Sequence, residues 1–147
     1  MALTLSDPFC VERHREEFLA LVDDGVDILF ANHDEITALY ETTSFDDAVA
    51  AVRGRCEIAA ITRSAEGSLV VTADAVHEVA AAPVERVVDT TGAGDLYAAG
   101  FLHGITAGRS PAESARIGSV AAAEVISHVG ARPEVDLADL VARSGGV

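Results

Sequence analysis

The sequence predicts an α/β fold, a mostly parallel sheet flanked by helices. Two observations carry this. Short apolar runs alternate with longer amphipathic stretches, the rhythm of strand–helix–strand units whose strands pair in parallel. The chain also has 147 residues, 50% of them hydrophobic and 23% charged, which is enough apolar mass for one core and too much for a disordered segment. No internal repeat, low-complexity tract or linker interrupts it, so residues 1–147 read as a single domain.

Each element follows from its local pattern. Leu3 to Leu5 reads as a strand and Val11 to Val22 as a helix, with Phe18, Leu19, Leu21 and Val22 as its apolar positions. Ile28 to Ala31 is a short buried strand, and the helix behind it carries Ile36, Leu39 and Tyr40. Ser44 caps a third helix containing Ala48, Val49 and Val52. Ile58 to Thr62 is a strand, and Leu69 to Thr72 with His77 to Val79 brackets an Ala-Asp turn as a hairpin. Val84 to Val88 is an extended approach to a glycine turn, and the pattern from Gly94 onward is helical. Leu96 to Ile105 is apolar nearly all round, which predicts a buried helix. Ser110-Pro111-Ala112-Glu113 is a helix start, with Ser at the cap, Pro in the first turn and Glu three residues on.

The totals exclude several function classes. A net charge of −14 leaves no basic surface for nucleic acid, although backbone amides can hold a phosphate without basic side chains. No apolar run approaches the roughly 20 residues of a membrane span, and the N-terminus lacks the layout of a secretory signal. Cys10 and Cys56 stand apart, as in a reduced cytoplasmic protein. His14, His33, His77, His103 and His128 show no zinc-ligand spacing and read as surface or core-edge residues.

The chemistry concentrates in "VVDTTGAGDLYAAGFLHG", Val87 to Gly104. The first turn of the helix has unpaired N–H groups and the positive end of the helix dipole. Gly92 and Gly94 lack Cβ atoms, so the backbone turns sharply and an anion can approach those amides. Asp95 stands inside this anion hole, where its carboxylate either caps the turn or accepts a proton from a nearby hydroxyl. Three glycine-rich motifs fit poorly. A dinucleotide fingerprint would need glycine where Tyr97 stands, a P-loop needs a lysine that is not there, and a methyltransferase-type loop needs a glycine soon after Gly94.

"DTTGAGD" followed by a small, apolar helix resembles the C-terminal signature of the PfkB, or ribokinase-like, carbohydrate and nucleoside kinases. Other segments resemble that family in the order it uses. Asn32-His33-Asp34-Glu35 is similar to its N-x-x-E motif. Thr62-Arg63-Ser64-Ala65-Glu66-Gly67 is similar to its T-x-G-x-x-G loop, with Ser64 in place of the first glycine. Gly130-Ala131-Arg132-Pro133 is similar to its Gly-Ala-x-Pro segment. The wording of "LTLSDPFCVERHREEFL" and "ILFANHDEITALY" looks most like the bacterial adenosine-kinase-like and sugar-kinase branch.

This resemblance implies part of a ribokinase-like three-layer fold and an ATP-dependent transfer of phosphate to a hydroxymethyl group of a nucleoside or sugar. It implies Asp95 as general base, with the amides of Gly92, Ala93 and Gly94 stabilising the transferring phosphoryl group. It implies Asn32 and Glu35 as organisers of Mg²⁺ through water, a pair that otherwise reads as a capping box. Thr62, Ser64 and Gly67 would line the nucleotide, and His128 and Gly130 would close on its adenine. Asp89 and Thr91 would offer oxygens to a monovalent cation such as K⁺ in members that use one. The family's acceptor and lid portion would precede the matched region, so residues 1–147 are expected to be the ATP-binding part of a cytoplasmic kinase. Alone they would turn over nothing and would self-associate through the side where that portion packs. The rival reading is a non-catalytic nucleotide-binding or regulatory module of the same fold.

Overall fold

The structure is a computed structural model and describes residues 1–144. The chain divides into two compact units: Met1–Arg63 with Ser68–Glu78, and Ser64–Gly67 with Val79 onward. Five strands form one sheet in sequence order: β1 (Ala2–Thr4), β2 (Ile28–Asn32), β3 (Ile58–Thr62), β4 (Ser68–Val71) and β5 (Val76–Val79). β1, β2 and β3 run parallel, whereas β4 is antiparallel to β3. The reversal has a simple cause: the Arg63–Gly67 connection is far shorter than the dozen or so residues a parallel crossover needs. β4 and β5 form the expected hairpin, with the Thr72 amide donating to the Ala75 carbonyl at 2.8 Å across the turn.

In the first unit the crossovers are α1 (Pro8–Arg13) and α2 (Arg15–Asp24), then α3 (His33–Leu39) and α4 (Phe45–Val52). Sequential strand order with crossovers of one hand sends them to one face of the sheet, and α3 packs against α1, α2 and α4. The core beneath them is built from alternate strand residues: Leu29 and Ala31, Ala59 and Ile61, Leu69 and Val71. The register pairs Ala31 with Ile61 and Ile61 with Leu69, giving a continuous apolar row. Phe30, Ala60 and Val70, on the other face, are buried as well.

Several sequence boundaries move. The single helix expected over Val11 to Val22 is two helices, because His14 leaves helical geometry (φ −124°, ψ 32°) and serves as the end of one and the start of the next. The start lies earlier as well. Asp7 caps α1 by accepting from the Cys10 amide, and Pro8 supplies the first turn. Of the apolar positions on α2, Val22 is buried while Leu21 lies exposed. β1 begins at Ala2 rather than Leu3, and Tyr40 ends α3 as its cap.

The second unit is dominated by α5 (Ala93–Thr106) and α6 (Pro111–Val125), joined by a short turn, with α7 (Leu137–Arg143) behind them. Ser110 opens α6 with the expected capping box to Glu113. The two helices meet through small residues. A Cβ on Gly100 would stand 2.8 Å from Gly118 Cα, and one on Gly118 would stand 2.6 Å from the Tyr97 carbonyl. Helix α5 is therefore not buried all round. Tyr97, Gly100, Phe101 and Gly104 form its buried stripe, while Ala99 and His103 are exposed. Val84 to Val88 has no regular structure. Its run along α6 is held by the Ala82 amide on Ser119 Oγ at 2.7 Å and the Val88 amide on the Ile126 carbonyl at 2.8 Å.

Candidate functional site

In the first unit, the candidate residues gather where parallel strands end. Asn32 closes β2, Thr62 closes β3, and the register pairs them directly. Ligands of open α/β sheets bind at these carboxyl ends. Asn32 also begins α3. Its Oδ1 accepts from the Glu35 amide at 2.8 Å, Glu35 Oε2 accepts from the Asn32 amide at 2.9 Å, and Asn32 Nδ2 donates to Glu35 Oε1 at 2.9 Å. Glu35 is buried, and burial pushes its carboxyl above the usual range; the Asn32 amide opposes this, and the charges of Asp7 and Asp34 add to it. The capping box is thus fully formed. Each Glu35 oxygen already holds one hydrogen bond and keeps a lone pair for a water. Such a donor set fits magnesium held through water. Among the described residues, no three His, Cys, Asp or Glu side chains gather as metal ligands.

The connection after β3 explains the departure at Ser64. Ser64 adopts φ +52°, the left-handed region that favours glycine, and starts a single 3-10 turn closed by the Gly67 amide on the Ser64 carbonyl at 3.1 Å. The glycine of the motif is missing, but its backbone conformation is present. Gly67 (φ +89°) cannot carry a side chain, since a Cβ would collide with the Val79 carbonyl and stand 2.7 Å from the Ala81 amide nitrogen.

In the second unit, Asp89 fixes the glycine turn. Its Oδ1 accepts from the Thr91 hydroxyl at 2.6 Å and the Thr91 amide at 2.9 Å, and its Oδ2 accepts from the Gly130 amide at 2.9 Å. The Thr91 hydroxyl, then the Gly130 and Thr91 amides, hold this carboxyl down to about 2. Gly92 (φ +81°) is the left-handed cap of α5, pressed so closely on the next segment that a Cβ would stand 2.7 Å from Ala131 Cβ. The "DTTGAGD" turn and the Gly-Ala-x-Pro segment are therefore one packed structure.

The amides at this turn are not equivalent. The Ala93 amide donates to the Thr90 carbonyl at 3.2 Å, and Leu96 is the first to reach an i−4 carbonyl, that of Gly92 at 2.9 Å. Among the described residues the amides of Gly92, Gly94 and Asp95 find no acceptor. The open set is therefore shifted from the expected one, with the Asp95 amide in place of Ala93. A Cβ at Gly94 would meet nothing within 4 Å, so this cradle faces open space. Asp95 is exposed at the third helical position, and no side chain caps α5. A first-turn acid that caps nothing, beside unpaired amides at a helix N-terminus, is suited to an anion and a hydroxyl together.

His128 sits beyond the end of α6, its side chain 13% exposed. Nε2 lies 3.2 Å from Glu124 Oε1 and Nδ1 lies 3.4 Å from the Val129 carbonyl. Burial works against the imidazolium, yet the Val129 carbonyl and the carboxylates of Glu134 and Glu124 outweigh it and raise the pKa. A groove of about 1400 Å³ runs beside α6, lined by Arg86, Val120, Ala123, Glu124 and His128. It includes the candidate His128 but not Gly92 to Asp95.

A family model described as pfkB family carbohydrate kinase matches residues 2–137. The chain belongs to this family. It is similar to the crystal structure of adenosine kinase from Sinorhizobium meliloti, with 52% identity, a TM-score of 0.95 and coverage of 98% of this chain and 44% of that one. It is also similar to a probable sugar kinase from Rhizobium etli, with 44% identity, a TM-score of 0.96 and coverage of 99% and 44%. An uncharacterized sugar kinase of Archaeoglobus fulgidus is 38% identical over 106 residues, 71% of this chain and 42% of that protein. The chain thus spans about two fifths of the length of the curated relatives it matches. Its α/β arrangement, a sheet flanked by helices, is the ribokinase-like one.

In this PfkB chain the pairing of Asn32 with Thr62 and the packing of Gly92 on Ala131 join motifs that are far apart in sequence. Glu124 was not singled out from the sequence. A glutamate near a helix end gives no signal, and its importance appears only once the chain folds back on it. The small residues at i and i+4, Gly100 with Gly104 and Ser114 with Gly118, were a signal for close helix contact that the apolar character of α5 concealed.

Proposed function

We propose that this chain is the ATP-binding part of a PfkB kinase that phosphorylates a hydroxymethyl group of a nucleoside, adenosine-like, or of a sugar. The observation that carries the proposal is the uncapped Asp95 carboxylate beside the open amides of Gly92, Gly94 and Asp95. In this reading Asp95 takes the proton of the acceptor hydroxyl as its oxygen bonds to the γ-phosphorus. The bond from that phosphorus to the bridging oxygen breaks, and ADP leaves. The open amides stabilise charge on the phosphoryl oxygens. Ser64, Gly67, His128 and Gly130 contact the nucleotide, as does Thr62. Asn32 and Glu35 would hold Mg²⁺ through water, and Mg²⁺ would neutralise phosphate charge. Asp89 and Thr91 would serve a monovalent cation such as K⁺. The adenosine kinase and sugar kinase names of its relatives support the acceptor class.

Asp95→Asn in the complete kinase tests the proposal, because it keeps size and hydrogen-bonding reach but removes the basic oxygen. Turnover is expected to fall roughly 10²-fold or more with the KM for ATP little changed. Near-normal turnover would remove Asp95 from the chemistry.

A further inference from the structure

Glu124 stands in the last turn of α6 with its side chain only 8% exposed. One of its oxygens, Oε1, accepts from two places at once: His128 Nε2 at 3.2 Å and the Glu134 amide at 2.9 Å. A single carboxylate oxygen therefore ties together both ends of the 128–134 loop. The other oxygen, Oε2, is buried with no hydrogen-bond partner. A buried carboxylate oxygen left unpaired is costly, and a side chain needed only for packing would be better apolar. Between the tied ends, the same loop reaches the glycine turn twice, through the Gly130 amide on Asp89 Oδ2 at 2.9 Å and through Ala131 against Gly92.

We propose that Glu124 is a positioning residue for the phosphate-facing turn. It touches neither Gly92 nor Asp95, and acts by closing the 128–134 loop so that Gly130 and Ala131 hold the Asp89–Gly92 turn in its open-amide form. This rests on the reading of that turn as the nucleotide-phosphate anchor. The physical link is contiguous: a buried acceptor on α6, a loop pinned at both ends, and a left-handed glycine with no room for a side chain beside Ala131.

The test compares Glu124→Ala and Glu124→Gln in the 147-residue chain by two readouts. Amide hydrogen exchange reports on Thr91 and Gly130, both of which donate to Asp89, against amides inside the α5–α6 pair such as Phe101 and Ala121. Calorimetry reports Mg-ATP affinity. Glu124→Ala is expected to speed exchange at Thr91 and Gly130 selectively and to weaken Mg-ATP binding about tenfold, the scale of losing one hydrogen bond to a charged group. Glu124→Gln keeps an acceptor at Oε1 and is expected to restore most of both. Unchanged exchange at Thr91 and Gly130 would overturn the proposal, as would exchange raised equally across α5 and α6. If Glu124→Ala does not fold, Glu124→Asp, which keeps the charge but draws the carboxylate back by one methylene from His128 and the Glu134 amide, decides on the exchange readout alone: selectively faster exchange at Thr91 and Gly130 is expected, and exchange equal to that of the unaltered chain overturns the proposal. If the unaltered chain does not bind Mg-ATP, the nucleotide reading fails, while the exchange pattern still decides whether Glu124 positions the turn.

Discussion

Asp89 and Asp95 are six residues apart by number and opposite in behaviour. Asp89 spends its carboxylate on the fold, accepting from Thr91 twice and from Gly130 once. Asp95 spends its carboxylate on no cap at all. Because its hydrogen bonds hold Asp89 at about 2, below its ordinary 3.8, its contribution to stability is present above about pH 4 and disappears as pH falls through about 2. Denaturant midpoints of the unaltered chain and Asp89→Asn should therefore differ by a constant amount at neutral pH and converge toward about pH 2. A gap that stayed constant to that pH would mean the carboxylate charge is not what the turn uses. At this scale the sequence marked local positions, the Asn32–Glu35 capping pair and Asp95 in the first turn of α5, better than it marked long-range bonds. Asp95, Asn32 and Glu35 were legible from motif spacing. That the Ala93 amide is taken by Thr90, or that Glu124 closes a loop, depends on how the chain folds back and leaves no mark in local pattern.

Among the elements, the α5–α6 pair carries the glycine turn at one end, so its close packing sets where that turn can stand. Gly118 lies against the Tyr97 carbonyl with no space for a methyl group. Gly118→Ala should cost about 1–3 kcal/mol, the usual penalty for overpacking a tight contact, and should lower the melting temperature by several degrees. An unchanged melting temperature would show that the helices can part freely. The strands were readable because their apolar runs are short and their ends marked: β3 runs from Ile58 to Thr62 as expected. Helix ends were readable where a capping side chain announces them, as at Ser44 and Ser110. His14 was not, because nothing in its side chain marks a break within an amphipathic pattern that continues past it.

For the whole molecule, a net charge of −14 means that a phosphate group would have to be held without a basic surface. Backbone amides at a left-handed glycine supply that, since they carry the helix dipole and no counter-charge has to be displaced. No helix among the described residues is long and apolar enough to cross a membrane. The family match over residues 2–137 reaches both compact units, and each unit carries some of its motifs. The most direct measurement is a titration of the ¹⁵N-labelled chain with Mg-ATP, following backbone amides by NMR. The resonances of Gly92, Gly94 and Asp95 should shift together and saturate at millimolar nucleotide or below, with Ala93, whose amide is already donated, moving less. Shifts absent from those three amides at saturating nucleotide, or confined to the groove beside α6, would contradict the assignment of the turn as the phosphate anchor.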